Sequence, residues 1–293
     1  MVRARILDER WTRPEPTGTV ARASQGRRIE SVGRRGKYLV LGLEGGRNLV
    51  MHLRMTGNLR LAGEPRFGGA RLYESEPDER FLRAVFELDD GSELWFTDAR
   101  RFGHGAVLTD EELEPYFEAR LGIEPLAGEL TGEGLAHLAA GRTAPLKSFL
   151  LDQRRVAGIG NIYADEALYR AELHPLSPAG SMRPEHCEAL VEGIVEALEA
   201  GLANGGSSID DYRDARGERG SMQDEFLVHT REGQECGRCG GEILEIVALP
   251  NDSEVVVENR ECSRNEGRQE GTGQCGPDLD PAQGGSERQE DPH

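Results

Sequence analysis

The sequence predicts an α+β fold, with an antiparallel β-sandwich or barrel over residues 1–109 followed by a helical domain. Three observations predict it. Runs rich in aliphatic and β-branched residues alternate with glycine-containing turns through the first hundred residues. Beyond residue 126 the apolar positions recur at helical spacing instead. The length, 293 residues, is enough to bury two cores.

Residues 3–60 read as strands. Residues 27–32 alternate ahead of Arg34-Arg35-Gly36, and residues 38–43 and 48–53 flank Glu44-Gly45-Gly46, a hairpin signal. A second pair, 82–88 and 94–97, flanks Asp89-Asp90-Gly91. Residues 110–119 start helical and are broken at Leu121-Gly122-Ile123-Glu124-Pro125, so 110–125 is expected to be a hinge. A short helix is expected over 131–140.

The run KSFLLDQRRVAGIGNIYADEALYRAELHP, residues 147–175, reads as two short helices around a glycine corner. Leu146, Phe149 and Leu150 give the first an apolar stripe, and Ile162, Ala167, Leu168 and Ala171 the second. Glycines at 158 and 160 can take backbone angles that other residues avoid. Asn161 stands where an N-cap belongs, with Asp165 and Glu166 in the early turns. A helix N-terminus beside glycines is a ready phosphate seat. Residues 184–203 form a long helix on Leu190, Ile194, Ala197, Leu198 and Leu202, ended by Asn204-Gly205-Gly206. Residues 214–224 form a polar loop, and 225–231 and 242–248 read as strands. From residue 263 the chain is dominated by Gln, Gly, Glu, Arg and Asp, and disorder is expected there.

The net charge is −18, an unpromising value for a nucleic-acid binder. Its distribution reverses the inference. Residues 1–60 carry 13 Lys and Arg against 5 Asp and Glu, while the remainder carries 22 against 48. A basic segment on an acidic body supplies the local potential that phosphate binding needs. No apolar run reaches membrane-spanning length and no signal segment opens the chain, so a cytoplasmic monomer without a membrane role is expected. Five cysteines, an odd number, argue against a secreted disulfide framework and leave metal binding open.

The 147–175 run resembles the helix–two-turn–helix of the formamidopyrimidine-DNA glycosylase / endonuclease VIII family. Gly36-Lys37-Tyr38-Leu39, His52-Leu53-Arg54-Met55-Thr56-Gly57, Asp98-Ala99-Arg100-Arg101-Phe102-Gly103 and Asn204-Gly205-Gly206-Ser207 resemble its other signatures, in the family's order, over about residues 3–247. The resemblance implies an amino-terminal β-sandwich over 1–109, a helix–two-turn–helix DNA-binding domain over 126–230, a degenerate zinc-finger-like hairpin over 231–262 and a disordered tail over 263–293. It implies a repair enzyme acting on damaged double-stranded DNA, excising oxidised purines and cleaving at the abasic site.

Residue by residue, the resemblance gives Lys37 a phosphate contact and a part in proton transfer. Met55, Arg100 and Phe102 match the residues that fill the space left by a flipped base, as an unbranched Met, a long Arg and a flat Phe can. Their polar flanks, Arg54, Thr56, Arg101 and Gly103, suggest exposed loop tips. This set points to the formamidopyrimidine branch. Asn161 matches the family's phosphate-binding asparagine, and Arg142 and Lys147 could add positive charge nearby.

Three departures accompany the match. Phe81-Leu82-Arg83 stands where the family has a histidine-bearing strand. Cys236-Gly237-Arg238-Cys239 supplies two of the four ligands zinc needs. The family's second Cys-x-x-Cys is replaced by the widely spaced Cys262 and Cys275, so an incomplete finger and less than one stoichiometric zinc are expected. The family's nucleophile is the amine of an amino-terminal proline followed by glutamate, whereas this sequence opens Met1-Val2-Arg3. The rival expectation is therefore a non-catalytic binder of damaged DNA.

Overall fold

The computed structural model describes residues 1–62, 78–209, 212–247 and 255–258. Cys262, Cys275 and the tail from 263 lie outside the described residues. The chain divides into two compact units. The first comprises Met1–Glu124, Gln153–Gly158 and Glu199–Glu225, and the second Pro125–Asp152, Ile159–Leu198 and the chain from Phe226. No helix among the described residues is long and apolar enough to cross a membrane.

The first unit holds two four-stranded antiparallel sheets. One has the order β1 (Arg3–Ile6), β6 (Leu82–Glu87), β7 (Glu93–Asp98), β5 (Gly57–Ala62). The other has the order β2 (Ile29–Arg35), β3 (Tyr38–Leu43), β4 (Arg47–His52), β8 (His104–Thr109). Alternation along each strand supplies their shared core, with Ala4, Phe86 and Phe96 from the first sheet and Leu41, Leu43, Leu49 and Met51 from the second. Trp11 sits in that core against Phe86 and Phe96. A Cβ at residue 105 would lie 2.1 Å from its indole, which requires Gly105 on β8.

The expected all-strand reading of residues 3–60 is corrected by α1 (Thr17–Ser24), a helix packed on β1. Its buried face is only Val20 and Ser24, one turn apart, too short a stripe to register as a helical period. The opposite face of the second sheet is covered by α2 (Asp110–Glu118), which begins with a Thr109–Glu112 capping box and buries Phe117. Residues 153–158 run beside 122–124, with Gly122 N–H donating to Gln153 O and Ala157 N–H to Ile123 O.

The second unit is helical: α3 (Gly132–Ala139), α4 (Leu146–Leu151), α5 (Asn161–Arg170) and most of α6 (Pro184–Ala203). The expected stripes are buried at Leu146, Phe149, Leu150, Ala167, Leu168, Leu190, Ile194 and Ala197. Leu202 departs from its stripe and is 64% exposed. Strands β9 (Leu244–Val247) and β10 (Val255–Glu258) pair antiparallel. The strand expected over 225–231 does not form. The backbone N–H groups of Leu227, Val228 and His229 all donate to the buried carboxylate of Glu166 and have no ladder partner to meet.

Candidate functional site

Register brings the first group of side chains together. Tyr38, His52 and His104 are cross-strand neighbours on β3, β4 and β8. Lys37 immediately precedes β3, and Arg54 follows β4 by two residues, so both cations gather at that end of the sheet. Burial first, and then the charge of Arg54, pushes the Lys37 ammonium down to about 8. His52 is buried, and burial followed by the charges of Arg54, Lys37 and His104 lowers it to about 4. The backbone N–H of Arg54 donates to His52 Nδ1 at 2.9 Å, which requires a lone pair there and fits a neutral ring. His104 is lowered as well, chiefly by burial, and its Nε2 lies 3.2 Å from Tyr116 Oη.

The turn carrying Lys37 is tied to a buried carboxylate. Glu124 is 7% exposed. Its Oε2 accepts the N–H of Gly36 at 2.6 Å, and its Oε1 meets Arg34 Nη1 at 2.7 Å. Gly36 has φ +54°, and a Cβ there would press on the Leu121 side chain.

Met55 and Phe102 are 70% and 55% exposed, and Arg100 is exposed as well. The two turns that bear them leave the same end of the β5–β7 pair, where Gly57 and Asp98 are register partners. The Arg100 guanidinium lies 5.0 Å from the Phe102 ring centroid. Arg101 takes φ +61° and forks onto the buried carboxylate of Asp8 at 2.6 and 2.7 Å. Three large exposed side chains on such braced turns can enter a base stack without first being ordered.

In the second unit the expected site residues separate. Asn161 is exposed but is the first residue of α5; Gly160 is the N-cap and gives no side-chain hydrogen bond. Gly158 has φ +90°, as the corner needs, whereas Gly160 is extended at φ −117°. Arg142 is exposed, on a segment bonded to Gly180 through the backbone. Lys147 corrects the sequence reading. Its side chain is 1% exposed and its Nζ lies 2.8 Å from Asp165 Oδ1, so it neutralises a core carboxylate and presents no charge outside. Asp165 also meets His229 Nδ1 at 2.8 Å. Asp165 and Glu166, expected as helix-end charges, are both buried and hold other segments in place.

Cys236 is buried and Cys239 exposed. Burial raises the Cys236 thiol, but contacts from Tyr169 Oη, 3.3 Å away, and from the Cys239 and Arg238 backbone outweigh it and bring it to about 7. Arg238 stacks over Tyr169 at 4.4 Å and bonds to Glu172, fastening the knuckle to α5. Among the described residues no group of three or more His, Cys, Asp or Glu is arranged to hold a metal ion. The sequence reading missed Asp8, His52, Asp98, Glu124 and Glu166. His52, Asp98 and Glu166 lay inside signature stretches that could have flagged them, and Glu166 was read there only as a helix-end charge.

Comparison with known proteins gives consistent matches. Residues 1–105 match the model of the formamidopyrimidine-DNA glycosylase N-terminal domain, and residues 121–213 that of the formamidopyrimidine-DNA glycosylase H2TH domain. The formamidopyrimidine-DNA glycosylase of Roseiflexus sp. (strain RS-1) is 42% identical over 262 residues, covering 88% of this chain and 91% of that protein. That of Heliobacterium modesticaldum is 45% identical over 224 residues, covering 76% and 78%. The Lactococcus lactis Fpg protein, solved with abasic-site DNA, superposes with a TM-score of 0.78 at 28% identity, covering 89% of this chain and 91% of that one. A Lactococcus lactis Fpg variant solved with DNA containing Fapy-dG gives the same score, identity and coverage.

Proposed function

The chain belongs to the formamidopyrimidine-DNA glycosylase family, and we propose that it excises oxidised purines, formamidopyrimidines and 8-oxoguanine, from double-stranded DNA and cleaves the strand at the abasic site, in base excision repair. One observation carries this reading: Met55, Arg100 and Phe102 stand exposed on turns braced by buried carboxylates, in the unit that also holds the basic segment 1–60. A base inside a duplex is out of reach of a hydrolytic site, so it must be extruded and its place filled. Met55 and Phe102 supply the wedge, and Arg100 supplies donors for the widowed partner base. Lys37 holds a backbone phosphate as a cation. With its ammonium at about 8, it can also give up or take a proton near neutral pH during elimination. Asn161 and Arg142 add phosphate contacts from the helical unit.

Zinc is part of the same proposal. Cys236 and Cys239 supply two of the four ligands it needs, a thiol at about 7 being readily deprotonated on a segment fixed to α5, and less than one stoichiometric zinc is expected. Bound there, zinc would be structural and would stiffen the segment following Phe226. Metal analysis of the purified protein reads the stoichiometry directly.

The relatives and solved structures that match most of the chain carry the name of an enzyme, which weighs against a non-catalytic damaged-DNA binder. The test is incubation with duplexes bearing one 8-oxoguanine or one formamidopyrimidine, against an undamaged control. Release of the damaged base with strand cleavage is expected. Borohydride trapping on an abasic duplex separates the readings: a covalent adduct supports the lyase, whereas binding without adduct or base release supports the binder.

A further inference from the structure

Beyond their exposure, the two wedge-bearing turns share a buried anchor. Asp98, the last residue of β7, is 1% exposed. Its Oδ1 accepts the hydroxyl of Thr56 at 2.5 Å, and its Oδ2 accepts the N–H of Gly103 at 2.6 Å. The N–H of Arg100 points at both Thr56 Oγ1 and Asp98 Oδ1, at 3.1 and 3.2 Å. One carboxylate thus holds the Met55 turn through Thr56 and the Arg100–Phe102 turn at both of its ends.

The remaining geometry leaves little slack. A Cβ at residue 57 would fall 2.2 Å from Leu53 O, and one at 103 would fall 2.9 Å from Asp98 Oδ2. Arg54 takes φ +56° to close its turn, and Arg83 Nε holds the Asp98 carbonyl at 2.9 Å.

We infer that the Thr56–Asp98 hydrogen bond is a latch that makes Met55 and Phe102 one rigid wedge, so that Thr56 and Asp98 are positioning residues for insertion into the base stack. This rests on the wedge reading of Met55, Arg100 and Phe102. Two turns separated by 42 residues would otherwise be ordered independently, each losing side-chain and backbone freedom on entering the duplex. A preformed latch removes that loss before DNA arrives and makes the two insertions cooperative.

The experiment uses the full chain and a duplex with 2-aminopurine opposite a tetrahydrofuran abasic analogue, whose fluorescence rises when the opposite base is unstacked. Met55→Ala, Phe102→Ala and their double variant are compared in wild-type and Thr56→Val backgrounds, with Thr56→Ser as the conservative rescue. The expected result is strong non-additivity of Met55→Ala and Phe102→Ala in the wild type and near-additivity in Thr56→Val. Thr56→Val alone should weaken the unstacking equilibrium about tenfold, as loss of one hydrogen bond to a carboxylate would, and Thr56→Ser should restore it. Thr56→Ala replaces Thr56→Val if the valine variant does not fold, which thermal unfolding reads. Additivity already present in the wild type, or non-additivity that survives in Thr56→Val, overturns the latch and leaves the wedge standing. If neither Met55→Ala nor Phe102→Ala changes the signal, the wedge reading falls and the latch with it.

Discussion

Glu124 Oε2 accepts the backbone N–H of Gly36 at 2.6 Å across 88 residues of sequence, while its other oxygen holds Arg34. Lys37 is the next residue after that N–H. Gly36 and Lys37 are the two residues between the register partners Arg35 and Tyr38, so the β2–β3 hairpin places Lys37 and a carboxylate buried outside the sheet fastens that turn. Arg34 Nη1 also donates to Gly36 O at 2.7 Å, which closes the ring of contacts around the turn.

Removing that carboxylate leaves the Gly36 N–H without its acceptor and Arg34 without its partner. Glu124→Ala is expected to destabilise the first unit by about 2 kcal/mol, and Glu124→Gln, which keeps an acceptor oxygen, by less. Urea denaturation followed by tryptophan fluorescence measures both. Excision in the same variants should fall in parallel, because the Lys37 turn loosens.

Lys37 is expected to make DNA binding depend on pH. A cation near 8 is mostly charged at pH 7 and mostly neutral at pH 9. Affinity for an abasic duplex is expected to decline over that interval, with the salt slope shrinking by about 0.9, the value of one phosphate contact. Lys37→Gln should show neither change. A wild-type slope that is flat between pH 7 and 9 would remove Lys37 from the phosphate contacts.

His52 should impose an acid limit on stability. Its folded value, about 4, lies below the ordinary 6.5, so the unfolded chain takes up the proton first as pH falls. The unfolded state binds more protons between those values, and stability drops as pH is lowered from 6.5 to about 4. Comparing denaturation midpoints of wild type and His52→Gln across that window isolates the effect, which the variant should lack.

Lys147 distinguishes a core cation from a phosphate-binding one. Lys147→Met is expected to cost about 3 kcal/mol by leaving the Asp165 carboxylate buried without its cation. The salt dependence of DNA binding should not change. Unaltered stability with a reduced salt slope would restore the role that the sequence suggested.

The sequence by itself determined the family, the order of the strong elements and the exposure of Met55, Arg100 and Phe102. Those are properties of local pattern: α6 is written in a helical period, the β3–β4 turn in Glu44-Gly45-Gly46, and Met55 and Phe102 among polar neighbours. Tertiary structure alone decided what each charge does. Lys147 and Asn161 both sit in or beside one signature run, yet the first is sealed against Asp165 and the second is open at the start of α5. The anchors Asp98, Glu124 and Glu166 likewise have partners 42, 88 and 61 residues away. A carboxylate is equally at home in water or in a buried cage of donors. Which applies depends on where distant backbone N–H groups arrive after folding, and no local periodicity encodes that.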